Sequence, residues 1–240
     1  MKRLIPLIVC TTFLCSNCGG KGPKSPASNY KITQEAMGTF VTITVAADEG
    51  DLDAAQAAVG KAFEAIHEAD RLMSNYREDS EVSLINREAF DRPVRVGDRT
   101  FEVIKKAVET ARETGGAFDA TVGPLIRLWR DAEKANHVPS DEQIEAALEK
   151  VGSVDKIVLD EERKTVRFLV KGMEIDLGGV AKGYAVDRAA AVLRAEGVNN
   201  AVVEAGGDLM AIGRDRDGAK WVVGVRNFFR QGGHMERLAL

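Results

Sequence analysis

The sequence predicts an α+β fold in which an antiparallel sheet packs with helices. Three observations carry this. Helical patterns are grouped between strand patterns instead of alternating with them one for one. The apolar residues Leu52, Ala55, Val59, Ala62, Phe63, Ile66, Ala69 and Met73 recur with the period of one long amphipathic helix. A hairpin is written into Lys156–Asp160 and Thr165–Val170, two short β-prone runs around Glu161-Glu162-Arg163. A regularly alternating doubly wound sheet would show neither the grouped helices nor the hairpin.

At the N-terminus, Lys2-Arg3 precedes the apolar run Leu4–Cys15. That is the charged start and short core of a secretory signal, residues 1–17, and it is too short to span a bilayer as a helix. Cys18-Gly-Gly-Lys then opens a tether rich in Gly, Pro, Ser and Lys, residues 18–29. The stretch resembles a bacterial lipoprotein signal, with Cys18 as the lipidated first residue of the mature chain. The expected location is membrane-anchored, after export across the inner membrane, on the periplasmic face or cell surface. The residue before the cysteine is Asn17 where such signals carry a small one, so export without lipid is the alternative. The three cysteines are Cys10, Cys15 and Cys18. With Cys18 lipidated, the mature chain has no free thiol and no disulfide, which excludes thiol catalysis.

Residues 30–240 read as one domain. After Glu35-Ala-Met-Gly-Thr39, the run Phe40–Val45 alternates strictly and is β-branched, hence a half-buried strand. The long helix over 52–73 leads into a polar loop, 74–80. A second helix is predicted from Arg99 to Thr114, stopping at Gly115-Gly116. Ser140-Asp-Glu-Gln143 is a capping-box pattern, and the helix that it opens is expected to reach Gly152. Met173, Ile175 and Leu177 read as a short strand that stops at Gly178-Gly179. A helix then starts near Val180 and ends at Gly197, a good residue just past a helix end. Lys220–Val225 is a strand, and Arg237–Leu240 starts its hairpin partner. The reading expects the sheet to continue past Leu240, with the chain cut short there.

Composition narrows the function. The 240 residues are 45% hydrophobic and 29% charged, enough for one substantial core, in one or two lobes. A net charge of -4 gives no case for nucleic acid, whose binding rests on basic surface. His67, His137 and His234 fit no zinc spacing, and no serine has the context of a catalytic triad.

The corner Asp176-Leu-Gly-Gly-Val-Ala-Lys182 carries the chemistry. Two glycines at an extended-to-helix turn let the backbone approach a ligand, and the following helix points its positive end at the same spot. Lys182 in the first turn opposes that dipole and calls for an anionic partner. Phosphate with a divalent ion fits, with Asp176 and Asp208 as candidate acids. A tight turn whose glycines serve packing fits the same residues. It is neither a Walker A nor a dinucleotide fingerprint.

Taken together, Met37-Gly-Thr39, Ser74-x-Tyr76 with Ser80-Glu-Val-Ser-x-Ile-Asn86, Gly115–Leu125, Asp176–Asp187 and Gly206-Gly-Asp208 resemble one family, the ApbE-type FAD:protein FMN transferases. The resemblance implies a T-fold-like α+β architecture with the flavin site between two lobes. It implies magnesium-dependent transfer of FMN from FAD to a threonine or serine hydroxyl of an acceptor protein, releasing AMP. An FAD pyrophosphatase and a non-catalytic flavin-binding lipoprotein are the alternatives. Met37, Tyr76 and the segment Ala117, Phe118 and Asp119 would contact the flavin. Asp176 and Lys182 would contact the adenosine–phosphate part, and Gly179 would offer its backbone carbonyl to the metal, with the remaining ligands expected beyond Leu240. No catalytic residue is assigned. The partners implied are FAD, acceptor proteins of membrane redox complexes, and the membrane.

Overall fold

The computed structural model describes residues 28–226 and 234–240. The signal segment and Cys18 lie outside the described residues. Strand β1 (Ser28–Ala36) pairs along its whole length with β2 (Thr39–Ala47). β1 was not foreseen, and it begins two residues inside the segment read as tether. Its chain is mostly polar, so only Tyr30 and Ile32 hinted at a strand, and both pack against the core from this outer position. β2 shows the expected alternation, with Val41, Ile43 and Val45 buried.

Helix α1 (Leu52–Met73) matches its predicted span. After it come α2 (Glu81–Glu88), β3 (Val94–Arg95) and α3 (Asp98–Glu113). Then follow α4 (Gly123–Lys134), α5 (Asp141–Leu148) and the single turn α6 (Ser153–Lys156). The hairpin β4 (Ile157–Asp160) and β5 (Thr165–Phe168) forms as expected. The chain continues through α7 (Ala181–Ala195), β6 (Ala201–Ala205) and β7 (Asp208–Ile212) to the paired strands β8 (Val222–Arg226) and β9 (His234–Ala239).

Two lobes result. In the first, the antiparallel sheet β1-β2-β6-β7 is covered by α1 and α7. In the second, the sheet β3-β5-β4 packs with α2 and α3 around Phe101, Ile104 and Phe168. The same two helices join the lobes. α1 buries Ala55 to Ala69 in the first core and Met73 in the second, while α7 buries Ala181 in the second core and Ala185 to Leu193 in the first. Met37 and Tyr184 pack against both.

The α7 end is well specified. Gly197 sits at φ 83°, its N–H donates to the Arg194 carbonyl, and the Val198 N–H donates to the Leu193 carbonyl at 2.9 Å. That is a Schellman motif, which satisfies carbonyls the helix leaves open.

Two expectations need correction. Met173, Ile175 and Leu177 are buried, but residues 173–177 form no strand, because no neighbouring strand takes their backbone. The Asn86 side chain does so instead: its Oδ1 accepts the Ile175 N–H at 2.7 Å and its Nδ2 donates to the Ile175 carbonyl at 2.9 Å. Helix α5 has its capping box but ends at Leu148, short of Gly152. Past it the bonds shorten to a three-residue span, and the Lys156 ammonium takes the Glu149 and Val151 carbonyls. Gly152 at φ 136° then turns the chain as only glycine does easily.

Candidate functional site

Three segments meet at the lobe junction. The first is the β1–β2 turn, where Met37 and Gly38 sit at φ 55° and 69°. Positive φ at both central residues is the pattern of a type I′ hairpin turn, which favours Asn-Gly or Gly-Gly. A methionine there costs on the order of 1 kcal/mol. That cost holds its side chain between the two cores and against the cleft. The β2–β6 register sets this turn beside the β6–β7 turn at Gly206-Gly207, so both tips lie at one end of the sheet.

The second segment is the loop that leaves α1. Asn75 Nδ2 donates to Asp176 Oδ2 at 2.7 Å, tying the loop to the glycine corner. Tyr76 stands 75% exposed, and its hydroxyl accepts from Arg130 Nη2 at 2.8 Å. The guanidinium also lies 5.1 Å from the ring centroid, within cation–π range. Arg130 thus holds the ring from one face and from its hydroxyl while the residue stays largely exposed.

The corner itself is the third segment. Asp176 Oδ1 accepts the Gly178 N–H at 2.7 Å, so the carboxylate both shapes the turn and fixes Asn75. Lys182 Nζ donates to the Gly178 carbonyl at 3.0 Å and lies 3.9 Å from Asp208 Oδ2. Val180, at the α7 N-cap, supplies no capping side chain, so the helix opens onto the corner without one. Packing also demands the glycines: a Cβ at Gly178 would lie 2.9 Å from Asp176 Oδ1, and one at Gly179 would lie 3.0 Å from the Phe118 ring. The packing reading of this corner therefore holds.

Of the residues singled out in the sequence, Met37, Tyr76, Asp176 and Lys182 line one cleft of 560 Å³. Phe118 packs behind it on Gly179, and Ala117 is exposed in the loop after α3. The Asp119 carboxylate is committed elsewhere. Oδ1 accepts from the Thr121 N–H and hydroxyl at 2.8 and 2.6 Å, and Oδ2 from the Ser153 N–H and hydroxyl at 2.8 and 3.0 Å. The segment is left with the Phe118 ring and its peptide groups to offer a flavin. Glu204 closes its own turn onto the Gly207 N–H, and Asp187 faces solvent.

Among the described residues, no group of three or more His, Cys, Asp or Glu side chains could hold a metal ion. Asp176 has both oxygens engaged, which leaves Asp208 as the acid beside Lys182. These residues do not make a magnesium site by themselves. His67 shares a hydrogen bond with Gln34 Oε1 at 3.0 Å. Burial at the junction pushes the Tyr184 phenol above its ordinary value.

Sequence reasoning missed Asn75 and Arg130, and it named Asn86 within a motif without a role. Asn75 lay in a polar loop with no periodic signal. Arg130 sits on α4, whose pattern went unassigned.

Two lobes joined by two helices, with a glycine corner carrying Asp176, Lys182 and Asp208 beside the cleft at the joint, define the class of a two-lobed α+β protein. Comparison with known proteins narrows it. The model of the ApbE family matches residues 37–240. A Vibrio cholerae protein named FAD:protein FMN transferase is 32% identical over 208 residues, covering 85% of this chain and 60% of the relative. The ApbE protein of Thermotoga maritima superposes with a TM-score of 0.78 at 34% identity, covering 89% of this chain and 68% of that one. The Vibrio cholerae flavin transferase ApbE gives 0.72 at 30% identity, covering 83% and 64%. The chain belongs to the ApbE family. It spans 60% and 62% of the length of the first two curated relatives.

Proposed function

We propose that the protein transfers the FMN half of FAD to a threonine or serine hydroxyl of an acceptor protein and releases AMP. The observation that carries this is the convergence of Met37, Tyr76, Asp176 and Lys182 on one cleft at the lobe junction. Tyr76 offers an open aromatic face to a planar isoalloxazine. Lys182 and the start of α7 offer positive charge to a pyrophosphate. In the reaction, the acceptor oxygen forms a bond to the FMN phosphorus. The bond from that phosphorus to the bridging oxygen breaks, AMP leaves with the oxygen, and the hydroxyl proton is released. Positive charge fixed at the corner favours the developing negative charge on the leaving phosphate. Magnesium dependence belongs to this reading and rests on the family resemblance.

Incubating the full-length protein with FAD, magnesium and a flavin-free acceptor domain tests it, with AMP and protein-bound flavin measured together. AMP with flavinylated acceptor is the expected result. AMP with free FMN would replace transfer by hydrolysis. FAD binding without AMP would leave a flavin-binding protein.

The location is proposed on the signal and tether. With Cys18 as lipid anchor, Cys18→Ser should move the protein from the membrane fraction to the soluble one. Release by Cys15→Ser, with Cys18→Ser still membrane-bound, would make Cys15 the anchor. Among the described residues no helix is long and apolar enough to cross a membrane.

A further inference from the structure

Helix α4 leaves apolar surface in water next to the site. Trp129 is 49% exposed, and with Leu125 and Ile126 it forms an open shelf that reaches His137. The shelf is small, with Leu125 and Ile126 half-buried and only Trp129 standing out, so its meaning rests on what it adjoins. The shelf is not isolated. It shares Ile126 and Arg130 with a 300 Å³ chamber, and the chamber shares Asn75, Tyr76 and Asp176 with the candidate flavin cleft. One track therefore runs from Trp129 past Arg130 to Tyr76.

We infer that this track is the docking groove for the acceptor protein, with an apolar acceptor side chain on Trp129 and the hydroxyl-bearing residue delivered past Arg130 to Tyr76. The inference rests on the transfer reading above. A small ligand would need only the cleft, whereas a protein substrate needs a surface that leads to it.

The chamber's charge fits this occupant. Arg127 is ion-paired with Glu174, Arg87 donates to the Glu78 carbonyl, and Arg130 donates to the Tyr76 hydroxyl. Its cations, Arg87, Arg127 and Arg130, are matched by the acids Glu78, Glu174 and Asp176. A balanced, hydrogen-bonding channel suits a neutral, hydroxyl-bearing peptide segment better than a second phosphate-rich ligand. An indole at the outer end is the residue type that most often dominates a protein contact.

Trp129→Glu tests the groove, because Trp129 does not line the flavin cleft. The probe is the flavin-free soluble domain of a membrane redox complex from the same organism. Expected are an unchanged Kd for FAD and an acceptor KM raised about tenfold or more, with kcat at saturating acceptor within about twofold. Trp129→Phe should recover most of the acceptor KM. An unchanged acceptor KM overturns the inference, as does an equal loss of FAD binding, which would make the shelf part of the folded site. A change in oligomeric state on Trp129→Glu, read by light scattering, would make the shelf a contact between copies and overturn it too. If the parent binds FAD but transfers nothing, the transfer reading fails on its own. Calorimetry of the acceptor domain against parent and Trp129→Glu then decides docking: equal affinity sinks it, and a tenfold loss upholds it.

Discussion

Asp119→Ala should lower stability by about 3–5 kcal/mol, while FAD affinity measured on the still-folded fraction changes by less than about threefold. The carboxylate accepts from the backbone and hydroxyl of both Thr121 and Ser153, residues with no exposed surface. Thr121 Oγ1 in turn accepts the Gly152 N–H at 2.8 Å. One carboxylate therefore holds the chain ahead of α4 against the start of α6, a contact made across more than thirty residues. Alanine leaves buried donors on both strands of this link without an acceptor. A hydrogen bond to a charged group contributes about 1.5–3 kcal/mol, and bonds of one network do not add. Asp119→Asn keeps one acceptor oxygen and should fall between the two. Denaturant unfolding with tryptophan fluorescence checks the first part, and FAD titration checks the second. A loss below about 1 kcal/mol, or a collapse of FAD binding at unchanged stability, would mean that Asp119 serves the ligand.

The contrast between Asp119 and Lys182 shows what was legible in the sequence. α1, β2, α3, α7 and the β4–β5 hairpin were readable because their apolar period is strong and their ends carry glycine or polar stops. β1 hid because an outer strand can stay mostly polar. α4 hid because its apolar stripe, Leu125, Ile126 and Trp129, was not read as a helix, and the structure leaves that stripe half in water. The 173–177 segment was read as a strand from its alternation, which correctly marked Met173, Ile175 and Leu177 as buried. Alternation reports which side chains are inside and says nothing of what pairs with the backbone, here the Asn86 amide. The site was legible as motifs only. That Asn75 would hold Asp176, 101 residues away, or that Asp119 would be spent on Ser153, is a matter of tertiary placement. The family pattern names such positions without separating those that face the ligand from those that hold the walls.

Lys182→Ala should weaken FAD binding about ten- to a hundredfold and leave riboflavin binding within about twofold. A charged hydrogen bond to phosphate contributes on the order of 1.5–3 kcal/mol, which sets the range for FAD. Riboflavin has no phosphate and would touch only the Tyr76 and Met37 side of the cleft. Stability should hardly move. The lysine sits in the first turn of α7, where a cation is opposed by the helix dipole at about 0.3–1 kcal/mol. Its contacts with the Gly178 carbonyl and with Asp208 at 3.9 Å are partly exposed, so they return little. A residue placed against the dipole, with partly exposed internal partners, gains more when a phosphate binds than it contributes to the folded chain. Lys182→Arg keeps the charge and should recover part of the FAD affinity. The rival account makes Lys182 a brace for the glycine corner through Gly178. Under it, riboflavin and FAD would lose affinity together and the melting temperature would drop. Parallel losses for both ligands would therefore sink the phosphate role and return the corner to a purely structural one.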